Sequence, residues 1–143
     1  LVLDMAGNVG TQSLAVTIRV LMDSETTGAQ KRKLIWKEAR VGLTNGAILG
    51  AASFVLIGAY LCLLRGEAPL MAFGVSGCIG IALIAAMLLS SISGTVIPIF
   101  FKKIGIDPAV ASGPLITTVN DLVAVVSYYG LTWLLLIEWL HLV

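Results

Sequence analysis

Asp121 is the residue of this sequence with the plainest chemical meaning, because it is the single charge in the 30 residues from Pro108 to Ile137. Placing a carboxylate at the centre of an apolar membrane run costs ~2.5–3.5 kcal/mol on insertion scales, so it calls for a cavity, an ion or a partner. The nearest basic residues, Lys102 and Lys103, lie roughly 27 Å away at ~1.5 Å of helical rise per residue, too far to pair with it. On the same helical face, Thr117 and Gly113 stand four and eight residues earlier, with Thr118 and Pro114 at three and seven. Pro114 lacks a backbone donor and so can free the carbonyl one turn before it as an oxygen ligand. The stretch from Gly113 to Asp121 reads as one wall of an aqueous cation path. The competing reading is a structural carboxylic acid hydrogen-bonded to a threonine or asparagine of another helix; the mid-run position favours the path.

A second polar cluster, Asp4, Gly7, Asn8, Gly10, Thr11 and Gln12, opens the chain. Asn8 and Gln12 share a face at i and i+4, and the two glycines bring backbone carbonyls close to a neighbour. The cluster has neither the Gly-Lys-Ser/Thr ending of a phosphate loop nor a dinucleotide fingerprint. A pore lining and hydrogen bonding between helices through amides both remain open readings. Together the two clusters offer carboxylate, amide, hydroxyl and carbonyl oxygens, a set that suits Mg²⁺, Ca²⁺ or Mn²⁺ better than Zn²⁺ or Cu⁺. Mg²⁺ dehydrates reluctantly and needs only one or two carboxylates. A symmetric homodimer would bring two copies of Asp121 to one axis and balance a divalent charge.

The elements that must position these residues are membrane helices. Of 143 residues, 58% are apolar and 12% charged, and a mean hydropathy of +1.00 argues against a water-soluble fold. A formal charge of +1 excludes the basic field that attracts nucleic acid. Cys62 and Cys78 sit inside apolar runs and read as packing residues, and His141 alone supplies no base for hydrolytic chemistry. The expected fold is an all-α membrane bundle with spans near 1–22, 41–64, 70–100 and 108–138, one multi-pass domain in the cell (inner) membrane. Residues 41–64 and 68–101 carry no charge, while Gly94 and Pro98 predict a kink or an early stop in the third span. Gly42, Gly46 and Gly50 share a face, and with Gly74, Gly77 and Gly80 they predict close helix packing.

Lys31, Arg32, Lys33, Lys37 and Arg40 place loop 23–40 in the cytoplasm, Lys102 and Lys103 do the same for loop 102–107, and the intervening loop has only Arg65. Leu34, Ile35 and Trp36 within the first basic loop allow a short interfacial helix there, or a solvated connector. Tyr128, Tyr129, Trp133 and Trp139 then fall toward the outer interface, with Glu138 and His141. The chain starts on Leu1 without an initiator Met or a polar flank, as if cut into a helix, and it lacks the basic region and cleavage site of a secretory signal.

The run Asp4-Met5-Ala6-Gly7-Asn8-Val9-Gly10-Thr11-Gln12-Ser13-Leu14, followed by Arg19, and the run Asp107-Pro108-Ala109-Val110-Ala111-Ser112-Gly113-Pro114-Leu115-Ile116-Thr117-Thr118-Val119-Asn120-Asp121 resemble the two signature stretches of MgtE magnesium transporters. The resemblance covers essentially the whole chain and corresponds to the membrane domain without its first helix. It implies a homodimeric Mg²⁺ channel whose pore is lined by the first and fourth helices of this chain. Asp121 would bind hydrated Mg²⁺, with Asn8 and backbone groups near Gly7, Gly10 and Thr117 close by, and Thr11, Gln12, Gly113, Pro114 and Asp4 lining the path. Family members also carry a cytoplasmic N-terminal domain and a CBS-type sensor, so both are expected in the full-length protein, and the basic loop is a plausible docking place for them.

Three other function classes remain on the residues alone. A proton- or sodium-coupled transporter would cycle Asp121 through alternating access. A non-transporting subunit would merely pair Asp121 with a partner helix. An intramembrane enzyme is the weakest, since no nucleophile and base occur as a pair.

Overall fold

The computed structural model describes residues 1–23, 26–111 and 113–135. Four α-helices make up an all-α membrane bundle: α1 (Val2–Asp23), α2 (Gly28–Leu63), α3 (Pro69–Lys103) and α4 (Gly113–Thr132), with a 3-10 turn at Pro108–Ala111 before the last. Three stretches, Gly28–Leu63, Pro69–Lys103 and Gly113–Leu135, are long and apolar enough to cross a bilayer. The aromatic and acidic residues Glu138, Trp139 and His141 lie outside the described residues.

Local signals set most boundaries. Thr27 and Gln30 form a capping box at the start of α2, the Gln30 amide donating to Thr27 Oγ1 at 3.4 Å and the Thr27 amide to Gln30 Oε1 at 2.8 Å. Gly66 (φ 69°) ends that helix, and the Glu67 amide donates back to the Leu61 carbonyl. Pro69 then opens α3 in its first turn, where a missing N–H costs nothing. At the other end of α3, Gly105 (φ 77°) provides the same left-handed exit.

Two expectations about helix extent are corrected. Residues 28–40 form neither a separate interfacial helix nor a connector, because α2 runs unbroken from Gly28 over 36 residues, about 54 Å. No glycine or proline interrupts Ala29 to Val41, and Gln30, Lys31, Arg32, Lys33, Leu34, Lys37, Ala39 and Arg40 all favour a helix. Likewise α3 does not stop at Gly94 or Pro98 but continues to Lys103. Pro98 removes one donor, and the buried face it shares with Gly94, Thr95 and Ser91 is held against neighbouring helices, which outweighs the lost bond.

Helix α3 is the central post, packed against each of the other three, while α2 barely touches α1. Its inner face carries small residues, and that lets backbones approach without side chains between them. A Cβ at Gly46 would stand 2.8 Å from Ile84 Cα, and one at Gly50 would stand 2.8 Å from the Gly80 carbonyl oxygen. The Gly42, Gly46 and Gly50 stripe is thus the seam between α2 and α3. Two buried hydroxyls on α3 turn back onto their own helix: Ser91 Oγ donates to the Leu88 carbonyl and Thr95 Oγ1 to the Ser91 carbonyl, both at 2.9 Å. Such bonds let polar residues sit in the bundle without a partner helix.

On the other side, α1 and α4 run antiparallel. Val2, Ala6 and Val9 share one buried cluster with Ala82, Leu83, Ala86, Met87 and Ala124, and Leu14 packs on Ile116 in a second. Lys102 Nζ donates to the Leu21 carbonyl at the far end of α1, so a cation from α3 satisfies an open helix carbonyl.

Candidate functional site

Between α1 and α4 lies a cleft of about 410 Å³ lined by Leu3, Asp4, Gly7, Asn8, Thr11, Thr117 and Asp121. The antiparallel pairing explains its composition. Asp4, Gly7, Asn8 and Thr11 recur every three or four residues on one face of α1, and Thr117 and Asp121 stand one turn apart on α4. Two faces that each read as polar stripes in the sequence therefore meet along one groove. Asp121 is half-buried, whereas Asp4 and Asn8 are exposed. Counting eight residues in from Gly113, Asp121 sits about 12 Å along a 23-residue apolar stretch, three residues short of its centre.

The polar groups of the cleft are poised to accept. Thr11 Oγ1 donates to the carbonyls of Gly7 (2.9 Å) and Asn8 (3.0 Å), which commits its proton to the helix and leaves its lone pairs open. The lining supplies two carboxylates, one amide and two hydroxyls, all hard oxygen donors apart from the amide nitrogen. Among the described residues no three His, Cys, Asp or Glu side chains come together. Any cation here would rest on sparse carboxylates supplemented by neutral oxygens and water. At roughly 30 Å³ per liquid water, the cleft holds on the order of a dozen waters.

The structure brings together six of the ten residues singled out in the sequence: Asp4, Gly7, Asn8, Thr11, Thr117 and Asp121. Gly10, Gln12, Gly113 and Pro114 are not part of the lining. Gly10 points the other way, into the crossing of α1 with α3 and α4. A Cβ there would overlap the Asn120 amide, with Cγ at 2.6 Å, and a Cβ on Gly94 would overlap the Gly10 backbone. Gln12 is exposed, one position off the cleft face. Pro114 occupies the first turn of α4, where its missing N–H breaks no helical bond, so it frees no carbonyl. Its own carbonyl accepts from Thr118 Oγ1 at 2.8 Å.

Two buried polar residues carried no signal in the sequence beyond their type. Asn120, adjacent to Asp121, is fully buried, and neither side-chain polar atom has a hydrogen-bond partner among the described residues. Glu38 is buried on α2 and accepts a hydrogen bond from Ser13 Oγ of α1 at 2.9 Å. Glu38 lies among five basic residues in sequence, and only its helical phase, about 140–160° from Lys33 and Arg40 at about 100° per residue, hints that it turns inward.

The sequence model for MgtE, described as a divalent cation transporter, matches residues 1–131. Among curated proteins the chain is similar to a magnesium transporter MgtE of Bacillus subtilis, 40% identical over 127 residues, and to one of Enterococcus faecalis, 37% identical over 131 residues. These alignments cover 89% and 92% of this chain but 26% and 27% of the relatives. A magnesium transporter MgtE of Thermus thermophilus is 30% identical over 134 residues, 94% of this chain and 28% of that protein. The chain therefore spans about a quarter of the length of the curated relatives it matches. With a family match across nearly its whole length and three transporters aligned over about nine-tenths of it, the chain belongs to the MgtE family of divalent cation transporters.

Proposed function

We propose that this chain is the ion-conducting part of a homodimeric Mg²⁺ transporter, and that Asp121 is the residue that selects the ion. The observation that carries the reading is the convergence of Asp4, Asn8, Thr11, Thr117 and Asp121 on one cleft between α1 and α4 that has room for a hydrated ion. The relatives' names supply the ion. Chemistry agrees with it, because Mg²⁺ keeps several of its waters and is held through one or two carboxylates with outer-sphere contacts. The cleft is open along one side, and a two-fold axis facing that side would set two Asp121 carboxylates against one divalent charge. Asn8, Thr11 and Thr117 would then accept hydrogen bonds from the ion's water shell.

Selectivity follows from charge density. Paired carboxylates at mid-membrane depth attract a divalent cation about twice as strongly as a monovalent one in the same place, since Coulomb energy scales with the product of charges. With the basic segments on the cytoplasmic side, the membrane potential draws the ion inward at about 2.3 kcal/mol per charge per 100 mV.

The test is Mg²⁺ flux into vesicles or growth of cells without other Mg²⁺ importers. Asp121→Ala abolishes flux while leaving membrane insertion and amount unchanged. Undiminished flux in that variant refutes the assignment. Flux that requires an opposing pH or Na⁺ gradient identifies a coupled transporter in place of a passive path.

A further inference from the structure

A second cavity, separate from the cleft and about 690 Å³ in volume, is a groove along the first half of α2 lined by Val20, Leu34, Trp36, Lys37, Arg40 and Val41, among others. The α2 positions that line it include Gln30, Lys33, Lys37, Val41 and Thr44, spaced three or four residues apart, so they form one continuous stripe of about 21 Å. Along that stripe the chemistry changes. Lys33, Lys37 and Arg40 occupy about its first two-thirds, counted from the start of α2, and the described lining residues include no acid. Glu38, the acid of this segment, is turned away and engaged by Ser13. Farther along, Val41, Thr44 and Asn45 continue the groove beside Val20 of α1; Thr44 Oγ1 donates to the Arg40 carbonyl at 2.8 Å, so its hydroxyl is satisfied and its methyl is free, while Asn45 leaves one polar side chain at this end. Trp36, 68% exposed, stands at the basic end, and a ring of this kind is suited to the headgroup level.

We infer that this groove binds an anionic phospholipid of the cytoplasmic leaflet. Its phosphate and acidic headgroup meet Lys33, Lys37 and Arg40, and one acyl chain lies along Leu34, Val20, Val41 and Thr44. Charge complementarity selects this occupant. A zwitterionic lipid would leave three cations without a net counter-charge, whereas an apolar protein segment would bury them. The three cations extend about 10 Å along the helix, comparable to a headgroup layer that is roughly 5–8 Å deep. The positive-inside orientation puts this end of α2 at the leaflet that is rich in anionic lipid.

The experiment reads Trp36 directly. The chain with Trp133→Phe and Trp139→Phe is reconstituted in phosphatidylcholine nanodiscs, and fluorescence is titrated with dibrominated phosphatidylglycerol or dibrominated phosphatidylcholine. Brominated phosphatidylglycerol quenches Trp36 at a mole fraction at least about fivefold lower, the preference expected from a single surface cation. Lys33→Gln with Lys37→Gln and Arg40→Gln abolishes the difference, and Lys33→Arg with Lys37→Arg and Arg40→Lys keeps it, which separates lost charge from a lost fold. Equal quenching by the two lipids, or a preference that survives the neutral triple variant, overturns the inference. So does protection of Trp36 from both lipids, which would mean that a protein segment covers the groove.

Discussion

Gly94→Ala tests the claim that backbone contact at one crossing holds the cleft in shape. A Cβ at position 94 would lie 3.1 Å from the Gly10 carbonyl carbon and 3.3 Å from its Cα, and closer still to its oxygen. Ordinary carbon contacts are about 3.5–4.0 Å, so α1 and α3 must part by several tenths of an ångström at least. No rotamer change relieves the overlap, because the obstructing atoms are backbone. Overpacking of this kind costs about 1–3 kcal/mol. Replacing glycine by alanine also gains up to ~1 kcal/mol of helix propensity, which would mask part of the loss. Gly130→Ala supplies the control, since a Cβ there meets nothing within 4 Å while the propensity gain is the same. Unfolding in mixed detergent micelles, followed by helicity, should place Gly94→Ala about 1–3 kcal/mol below Gly130→Ala. Mg²⁺ flux should fall with it, because Gly10 lies between Asn8 and Thr11 of the cleft wall and moves with them. A stability difference under about 0.5 kcal/mol would refute the reasoning, since the two helices would then have room that the structure denies them.

Neighbouring residues on α1 should separate by helical phase: Asn8→Ala lowers Mg²⁺ flux severalfold, whereas Gln12→Ala, on an exposed position outside the lining, leaves flux within about twofold. Equal losses in both would mean that the cleft is not the path. Ser13→Ala leaves the buried Glu38 carboxyl without its donor and should cost about 1–3 kcal/mol in the same unfolding assay. The double variant with Glu38→Leu should recover much of that loss, and a cycle with no coupling between the two sites would show that the bond contributes nothing. Asn120→Leu keeps the branched shape and removes two polar atoms that have no hydrogen-bond partner among the described residues, but Leu is bulkier, so relief of the unmet hydrogen bonds and overpacking should offset each other to within about 1 kcal/mol. A large loss of stability there would reveal a partner for the amide.

Much of the architecture could be read directly along the chain. Uncharged runs long enough for a bilayer gave the membrane helices, because burial in lipid forces every backbone group to pair within its own helix. The three- and four-residue spacing of Asp4, Asn8 and Thr11, and of Thr117 and Asp121, gave two polar faces, because side-chain direction in a helix follows from sequence position alone. Ends were harder. Charge density gave the second span as 41–64, which marks where lipid stops but not where a helix stops, and the capping box at Thr27 marks the helix start.

What tertiary structure decided was which face each helix turns to which neighbour. Gly10 and Gly7 are the same residue type three positions apart, yet one is pressed against Gly94 and Asn120 while the other lines the cleft. Gln12 and Asn8 are both amides one turn apart, and only Asn8 reaches the groove. Glu38 reads as one more charge in a basic segment until α1 supplies Ser13, and nothing but its residue type marks Asn120 until the packed bundle buries it. Sequence fixes a side chain's angle about its own helix axis. The direction of the partner helix depends on small residues at crossings distant in the chain, and only the packed bundle determines it.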